Sequence, residues 1–94
     1  MTTSRAHVQT ASASRYLQQL GKHWGHKFPV DMSPEHATID LPFGRCTLNA
    51  DAAHLTVDLA GSPEADMDKF EEIVAEHLQR FGHRETLVFD WQRG

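Results

Sequence analysis

The sequence has little cysteine, no excess of positive charge and no long apolar run. Because its one cysteine, Cys46, has no partner for an internal disulfide, we expect a cytoplasmic protein. The formal net charge of -4 argues against a general nucleic-acid binder. No segment is apolar for long enough to cross a bilayer, and the N-terminus lacks the pattern of a secretory signal.

The main catalytic signatures are missing as well. The sequence contains no glycine-rich phosphate loop, no nucleophile elbow and no pair of closely spaced cysteines. A nucleophile made of Cys46 and a histidine, or a carboxylate pair among Asp40, Asp58 and Asp90, would have to be recognised by its geometry. Outward-facing aspartates on strands more often discourage pairing between sheet edges. The sequence therefore favours a protein that is not an enzyme.

The apolar residues that are present suffice for one folded domain. Hydrophobic residues make up 39% and charged residues 23% of the 94 positions, which is typical of a globular chain and not of a disordered one. We expect a single domain over residues 1–94, with an ordered core at about residues 5–93. Because so short a chain buries only a thin core, we also expect a homodimer.

Hydrophobic periodicity predicts two helices and a sheet. The apolar stripe of the first helix ends at Trp24, and Gly25 is expected to stop it in the left-handed conformation. The second helix is expected to begin at Ser62 and Pro63 and to stop at Gly82. Alternating apolar residues predict strands near residues 5–10, 28–32, 37–41, 46–50, 55–59 and 87–91. The order β-α-β-β-β-β-α-β indicates an α+β fold, in which one antiparallel or mixed sheet of about five to six strands carries both helices on one face.

The ends of the two predicted helices resemble each other. Residues 23–27 are His-Trp-Gly-His-Lys and residues 80–84 are Arg-Phe-Gly-His-Arg, so each end offers an aromatic residue, a glycine, a histidine and a cation. Cations in the last turn stabilise the negative end of a helix, and this explanation needs no ligand. The alternative is that the two ends converge on a binding site.

Two kinds of binding site fit these residues. A basic pocket would hold a carboxylate, a phosphate or a catecholate. Its candidate residues are Lys22, His23, Lys27, Arg45, His77 and Arg80. A metal site would use His23 and His77, on facing shoulders of the two helices, together with His26 and with Cys46 from the sheet. The competing explanation is that the histidines and the cysteine are packing residues.

Several short motifs occur in the order found in a known family. They are Arg15-Tyr16-Leu17, Lys22-His23-Trp24, His26-Lys27, Phe43-Gly44-Arg45-Cys46, His77-Leu78, Arg80-Phe81, Arg84-Glu85 and Trp91. From about Ala6 to Arg93, the chain resembles the bacterial domain of unknown function 2218. The recurring residues of that family correspond here to Lys22, His23, His26, Lys27, Gly44, Arg45, His77 and Arg80.

The resemblance also implies a biological context. Some members of the family are joined to, or lie near, siderophore-interacting flavin reductases, so an anionic small molecule or ferric chelate is the implied ligand and a flavin reductase the implied partner. The chain has no flavin or nicotinamide domain, and its implied role is that of an accessory domain. A structural interaction module, to which the 7 histidines add pH sensitivity, is the third interpretation.

Overall fold

The computed structural model describes residues 2–94 and confirms the predicted order of elements. The elements are β1 (Thr2–Gln9), α1 (Ala13–Trp24), β2 (Val30–Met32), β3 (His36–Leu41), β4 (Gly44–Ala50), β5 (His54–Gly61), α2 (Met67–Phe81) and β6 (Gln92–Arg93). Six strands form one sheet in which every pair is antiparallel, so the predicted α+β class is confirmed. Within the described residues, neither helix is long and apolar enough to cross a membrane.

The sheet places the first strand in its interior. The strand order is β2-β3-β4-β5-β1-β6, so four consecutive strands form a meander and β1 pairs with the last of them. Val8 of β1 lies opposite Leu55 of β5, and Ser4 lies opposite Leu59. This register points the apolar residues of both strands to the same face of the sheet.

Both helices cover that apolar face and leave the other face open. The largest fully buried side chains include Phe70, Leu17, Leu20, Ile39, Leu48 and Leu55. On the open face, Arg5 pairs with Asp58 at 2.5 Å and Arg45 pairs with Asp40 at 2.7 Å. Because each of these aspartates contacts an arginine of a neighbouring strand, the structure explains them as surface ion pairs.

The second helix begins later than the sequence suggested. Ser62 does not cap it, because the Ser62 amide donates to the Phe43 carbonyl at 3.0 Å and so holds this residue beside the sheet. The chain first makes a turn, and the helix then starts at Met67. Its N-cap is Asp66, whose carboxylate accepts a hydrogen bond from the Lys69 amide.

The last predicted strand is reduced to two residues. Only Gln92 and Arg93 pair with β1, while Leu87, Phe89 and Trp91 pack against the core without joining the sheet. Arg93 donates to the Glu71 carboxylate at 3.0 Å and thereby fixes the C-terminal segment to α2. Burial alone would raise the pKa of Glu71, but hydrogen bonds from Arg93 and from Ser4 outweigh it and hold the pKa below its usual value.

Both helices end at the predicted glycines, although not in the left-handed conformation. Gly25 has a φ of -62° and Gly82 has a φ of -97°, so neither glycine uses the positive φ that was expected. Among the described residues, positive φ occurs at Gly44, with a φ of 155° in the turn between β3 and β4. A Cβ atom at Gly44 would lie 2.4 Å from the Ala60 carbonyl oxygen, so this close approach requires glycine.

Candidate functional site

A cavity lies where the end of α1, the middle of α2 and the β3–β4 turn meet. We call it the histidine cavity, and its volume is about 300 Å³. Three of its lining residues are basic or titratable, namely His23, Lys27 and His77. The remaining lining residues are apolar or aromatic, namely Trp24, Phe28, Leu41, Phe43 and Ile73. A site of this composition offers positive charge beside a wall that can bury an apolar group.

The two histidines approach each other as their helical positions predicted. The ring centroids of His23 and His77 are 5.1 Å apart, and the His77 ring also lies 5.0 Å from the Trp24 ring. Nδ1 of His77 is 2.7 Å from the Ile73 carbonyl oxygen, which is only an acceptor, so Nδ1 carries the proton. Nε2 of His77 is then the ring nitrogen left for a further hydrogen bond.

The turn after α1 supplies the cationic end of the cavity. The amides of Lys27 and Phe28 both donate to the Trp24 carbonyl, at 3.0 and 2.8 Å. These bonds fold residues 25–28 back against the helix end, and Lys27 and Phe28 become part of the cavity wall. No aspartate or glutamate lines this cavity, so its charge is that of Lys27 and of any protonated imidazole.

The other residues of the predicted basic pocket lie elsewhere. Lys22 is exposed on α1, and its helical position is opposite the buried stripe. Arg45 is on the open face of the sheet, paired with Asp40, and Arg80 lines a separate groove along α2 with Glu76 and His83. The structure therefore brings together His23, Lys27 and His77 and separates them from Lys22, Arg45 and Arg80.

The predicted set of metal ligands does not assemble. Within residues 2–94, no group of three or more histidines, cysteines, aspartates or glutamates is placed to hold a metal ion. His26 is exposed beyond the end of α1, whereas Cys46 is fully buried in the core. Burial raises the pKa of the Cys46 thiol to about 12, with a smaller contribution from Asp58, so the thiolate that a metal requires is disfavoured.

The end of α2 is held by hydrogen bonds, and it borders two open grooves of about 720 and 380 Å³, each of which is lined in part by a glutamate, Glu76 or Glu85. The Tyr16 hydroxyl donates to Glu85 at 2.5 Å, and the Thr10 hydroxyl donates to the same carboxylate oxygen at 3.0 Å. The hydrogen bond to Glu85 raises the pKa of Tyr16, and burial adds to the effect. Gln79 bonds the carbonyls of Gly82 and Glu85 and the amide of Leu87, which fixes the chain after the helix.

The sequence did not identify the apolar wall of the histidine cavity. Phe43 occupies the tip of the tight β3–β4 turn and is only half-buried, although its ring packs edge-to-face on Phe70 at 4.9 Å. An aromatic residue between proline and glycine in a short turn was the available signal, because turn tips rarely need such a side chain for solubility. Phe28 and Ile73 gave no comparable signal.

Comparison with known proteins identifies a family and a fold. The family model described as "Uncharacterized protein conserved in bacteria (DUF2218)" matches residues 5–92. The NMR structure of PA4090 from Pseudomonas aeruginosa is similar, with 43% sequence identity, a TM-score of 0.77, and coverage of 98% of this chain and 96% of that one. No curated protein matches the chain.

Proposed function

The chain belongs to the bacterial DUF2218 family, and from its geometry we propose that it is a small binding domain for anions that have a compact apolar body. The histidine cavity is the binding site. The observation that carries this proposal is the composition of that cavity, in which Lys27, His23 and His77 share a wall with five apolar side chains and with no acid.

Each part of the cavity has a role in this proposal. Lys27 supplies a fixed positive charge, and Nε2 of His77 donates a hydrogen bond to the anion when the ring is protonated. Trp24, Phe28 and Phe43 cover the apolar body of the ligand. The volume of about 300 Å³ lies at the lower end for small-molecule sites, which suits a ligand of about one ring.

This ligand class agrees with the context that the family resemblance implies. Catecholate siderophores present benzene rings with acidic hydroxyls, and one such ring has the size and charge that the cavity favours. In this proposal the domain holds one arm of a ferric chelate, or the free aromatic acid, while a flavin reductase supplies the electrons. A whole chelate would extend beyond the cavity, and its iron would not need a ligand from this chain.

The proposal is tested by NMR titration of the labelled protein with benzoate and dihydroxybenzoate, with neutral benzamide as the matched uncharged probe. We expect saturable shifts around Trp24 and His77 with both acids, and much weaker shifts with benzamide. His77→Leu should weaken binding about tenfold, because a hydrogen bond to an ion is lost.

Two variants outside the cavity serve as controls. Lys22→Gln removes a cation from the opposite side of α1, and Arg45→Gln removes one from the open face of the sheet. Both should bind benzoate like the wild type, whereas Lys27→Gln should not. If all three lysine and arginine variants weaken binding equally, the effect is one of net charge and the proposed site is wrong.

A further inference from the structure

A second cavity adjoins the histidine cavity at the β3–β4 turn. Its volume is about 270 Å³, and its apolar wall includes Phe43, Phe70 and Ile73. Phe43 and Ile73 line both cavities. Since positions 70, 73 and 77 of α2 are three to four residues apart, they share one helix face, and the two cavities follow that face in succession. The Phe43 ring stands between them.

The position of Phe43 is fixed by its backbone and by the packing of its ring. The Phe43 carbonyl accepts a hydrogen bond from the Ser62 amide at 3.0 Å, and Gly44 beside it fits closely against Ala60. The half-buried ring packs edge-to-face on Phe70, with the ring centroids 4.9 Å apart. Truncating this ring would join the two cavities.

The two cavities differ in charge. The histidine cavity has Lys27 and the two histidines, whereas the second cavity has Glu64 and Asp66 at its rim beside a single Lys69. The Asp66 carboxylate already caps α2, so the helix N-terminus offers no obvious place for a second anion. A ligand that extends through both cavities should therefore carry one anionic group and an uncharged apolar tail.

From this arrangement, and resting on the proposed function, we propose that Phe43 determines the length of the ligand. The anionic group lies among His23, Lys27 and His77, and the apolar body points along α2 toward Phe70. With the ring in its observed position, only a short body fits. With the ring removed, the second cavity accepts the tail of a linear monoanion.

The test compares wild type and Phe43→Ala in NMR titrations with hexanoate, octanoate and decanoate, and with the dianion sebacate as the matched control for decanoate. For the wild type, we expect affinity to level off beyond hexanoate. For Phe43→Ala, each added methylene should raise affinity about fourfold up to decanoate, because it is buried in the second cavity. Sebacate should bind Phe43→Ala at least about tenfold more weakly than decanoate.

Each outcome decides between distinct conclusions. If the length dependence is the same in both proteins, Phe43 does not set ligand length, while the proposed function stands provided that hexanoate binding still depends on His77. If the wild type binds none of the monocarboxylates, both proposals fail. If sebacate binds as tightly as decanoate, the inference that the ligand carries a single charged group is wrong. Phe43→Leu, which keeps an apolar side chain at the turn, decides by the same criteria if Phe43→Ala does not fold.

Discussion

The two helix ends share a pattern of an aromatic residue, a glycine, a histidine and a cation, but they have different surroundings. At the end of α1, residues 25–28 fold back beside an open cavity, and Lys27 and His23 line it without an acidic neighbour. At the end of α2, Gly82 is packed so closely under Tyr16 that an added Cβ would lie 2.9 Å from the ring. There Glu85 and Gln79 use their hydrogen bonds to fix the following segment.

This difference shows that a short sequence motif does not by itself determine whether a helix end borders a binding site. In both copies the aromatic residue packs, the glycine ends the helix and the cation lies near the negative end of the helix dipole. What differs is the neighbouring element. The end of α1 borders a cavity whose lining residues include no acid, whereas the end of α2 packs against Tyr16 and Leu87 and its grooves are lined in part by Glu76 and Glu85. We therefore interpret the end of α1 as the binding end and the end of α2 as the structural end.

The largest expected effect on stability comes from removing the hydrogen-bond acceptor at the structural end. Glu85→Ala leaves the buried hydroxyls of Tyr16 and Thr10 without their acceptor, which should lower the free energy of unfolding by about 2 kcal/mol. Lys27→Ala at the binding end should change it by less than about 0.5 kcal/mol. Urea denaturation of both variants measures the difference. Equal losses would mean that the two ends are structurally equivalent.

The state of Tyr16 provides a second test of the structural end. Tyr16 is the one tyrosine of the chain, so ultraviolet absorbance reports its ionisation directly. The Tyr16 hydroxyl donates a hydrogen bond to the Glu85 carboxylate, which raises the pKa of Tyr16, and burial adds to the effect. This contact stabilises the fold below the usual tyrosine pKa of about 10 and is lost as pH rises through the folded value.

We expect the phenolate midpoint of the folded protein to lie above that of the urea-unfolded chain. Glu85→Gln should lower the folded midpoint, because a neutral amide no longer repels the phenolate. A folded midpoint equal to the unfolded one would show that the bond between Tyr16 and Glu85 does not persist in solution.

The smallest expected effect is on the reactivity of Cys46, and it tests whether this residue can belong to a metal site at the binding end. With its pKa raised to about 12 by burial, the Cys46 thiol should react with a disulfide reagent near neutral pH only on the timescale of unfolding. Adding urea should accelerate the reaction, and adding zinc to the native protein should not alter it. Rapid modification of the folded protein would place the thiol within reach of the site and revive the metal interpretation.

Much of the fold was predictable because its signals are local. Alternation located β3, β4 and β5, and the apolar stripes located both helices and their last residues, Trp24 and Phe81. The errors occurred where distant residues decide. The Ser62 amide is bonded to the Phe43 carbonyl of the neighbouring β3–β4 turn, and the helix starts later than its capping residues suggested. Residues 87–91 alternate like a strand, but Leu87, Phe89 and Trp91 pack against the core without pairing.

The candidate site was predictable in part for the same reason. Helical geometry placed His23 and His77 on facing shoulders, and the structure brings their rings to 5.1 Å. The same periodicity could also have excluded Lys22, which lies opposite the apolar stripe of α1, and Arg45, which alternates with the inward-facing Cys46. It could not find Phe43 as a wall between two cavities, because that depends on the packing of the β3–β4 turn against α2.

The sequence by itself determined the order of the elements, the apolar faces of the two helices and the ends of those helices. These follow from residue spacing, which acts over a few positions. Only the tertiary structure decided that β1 enters the middle of the sheet, that Cys46 is buried in the core, and that the cavity at the end of α1 has no acid among its lining residues, unlike the grooves at the end of α2. The physical reason is that burial and charge pairing depend on neighbours far apart in the chain, and those neighbours meet only when it folds.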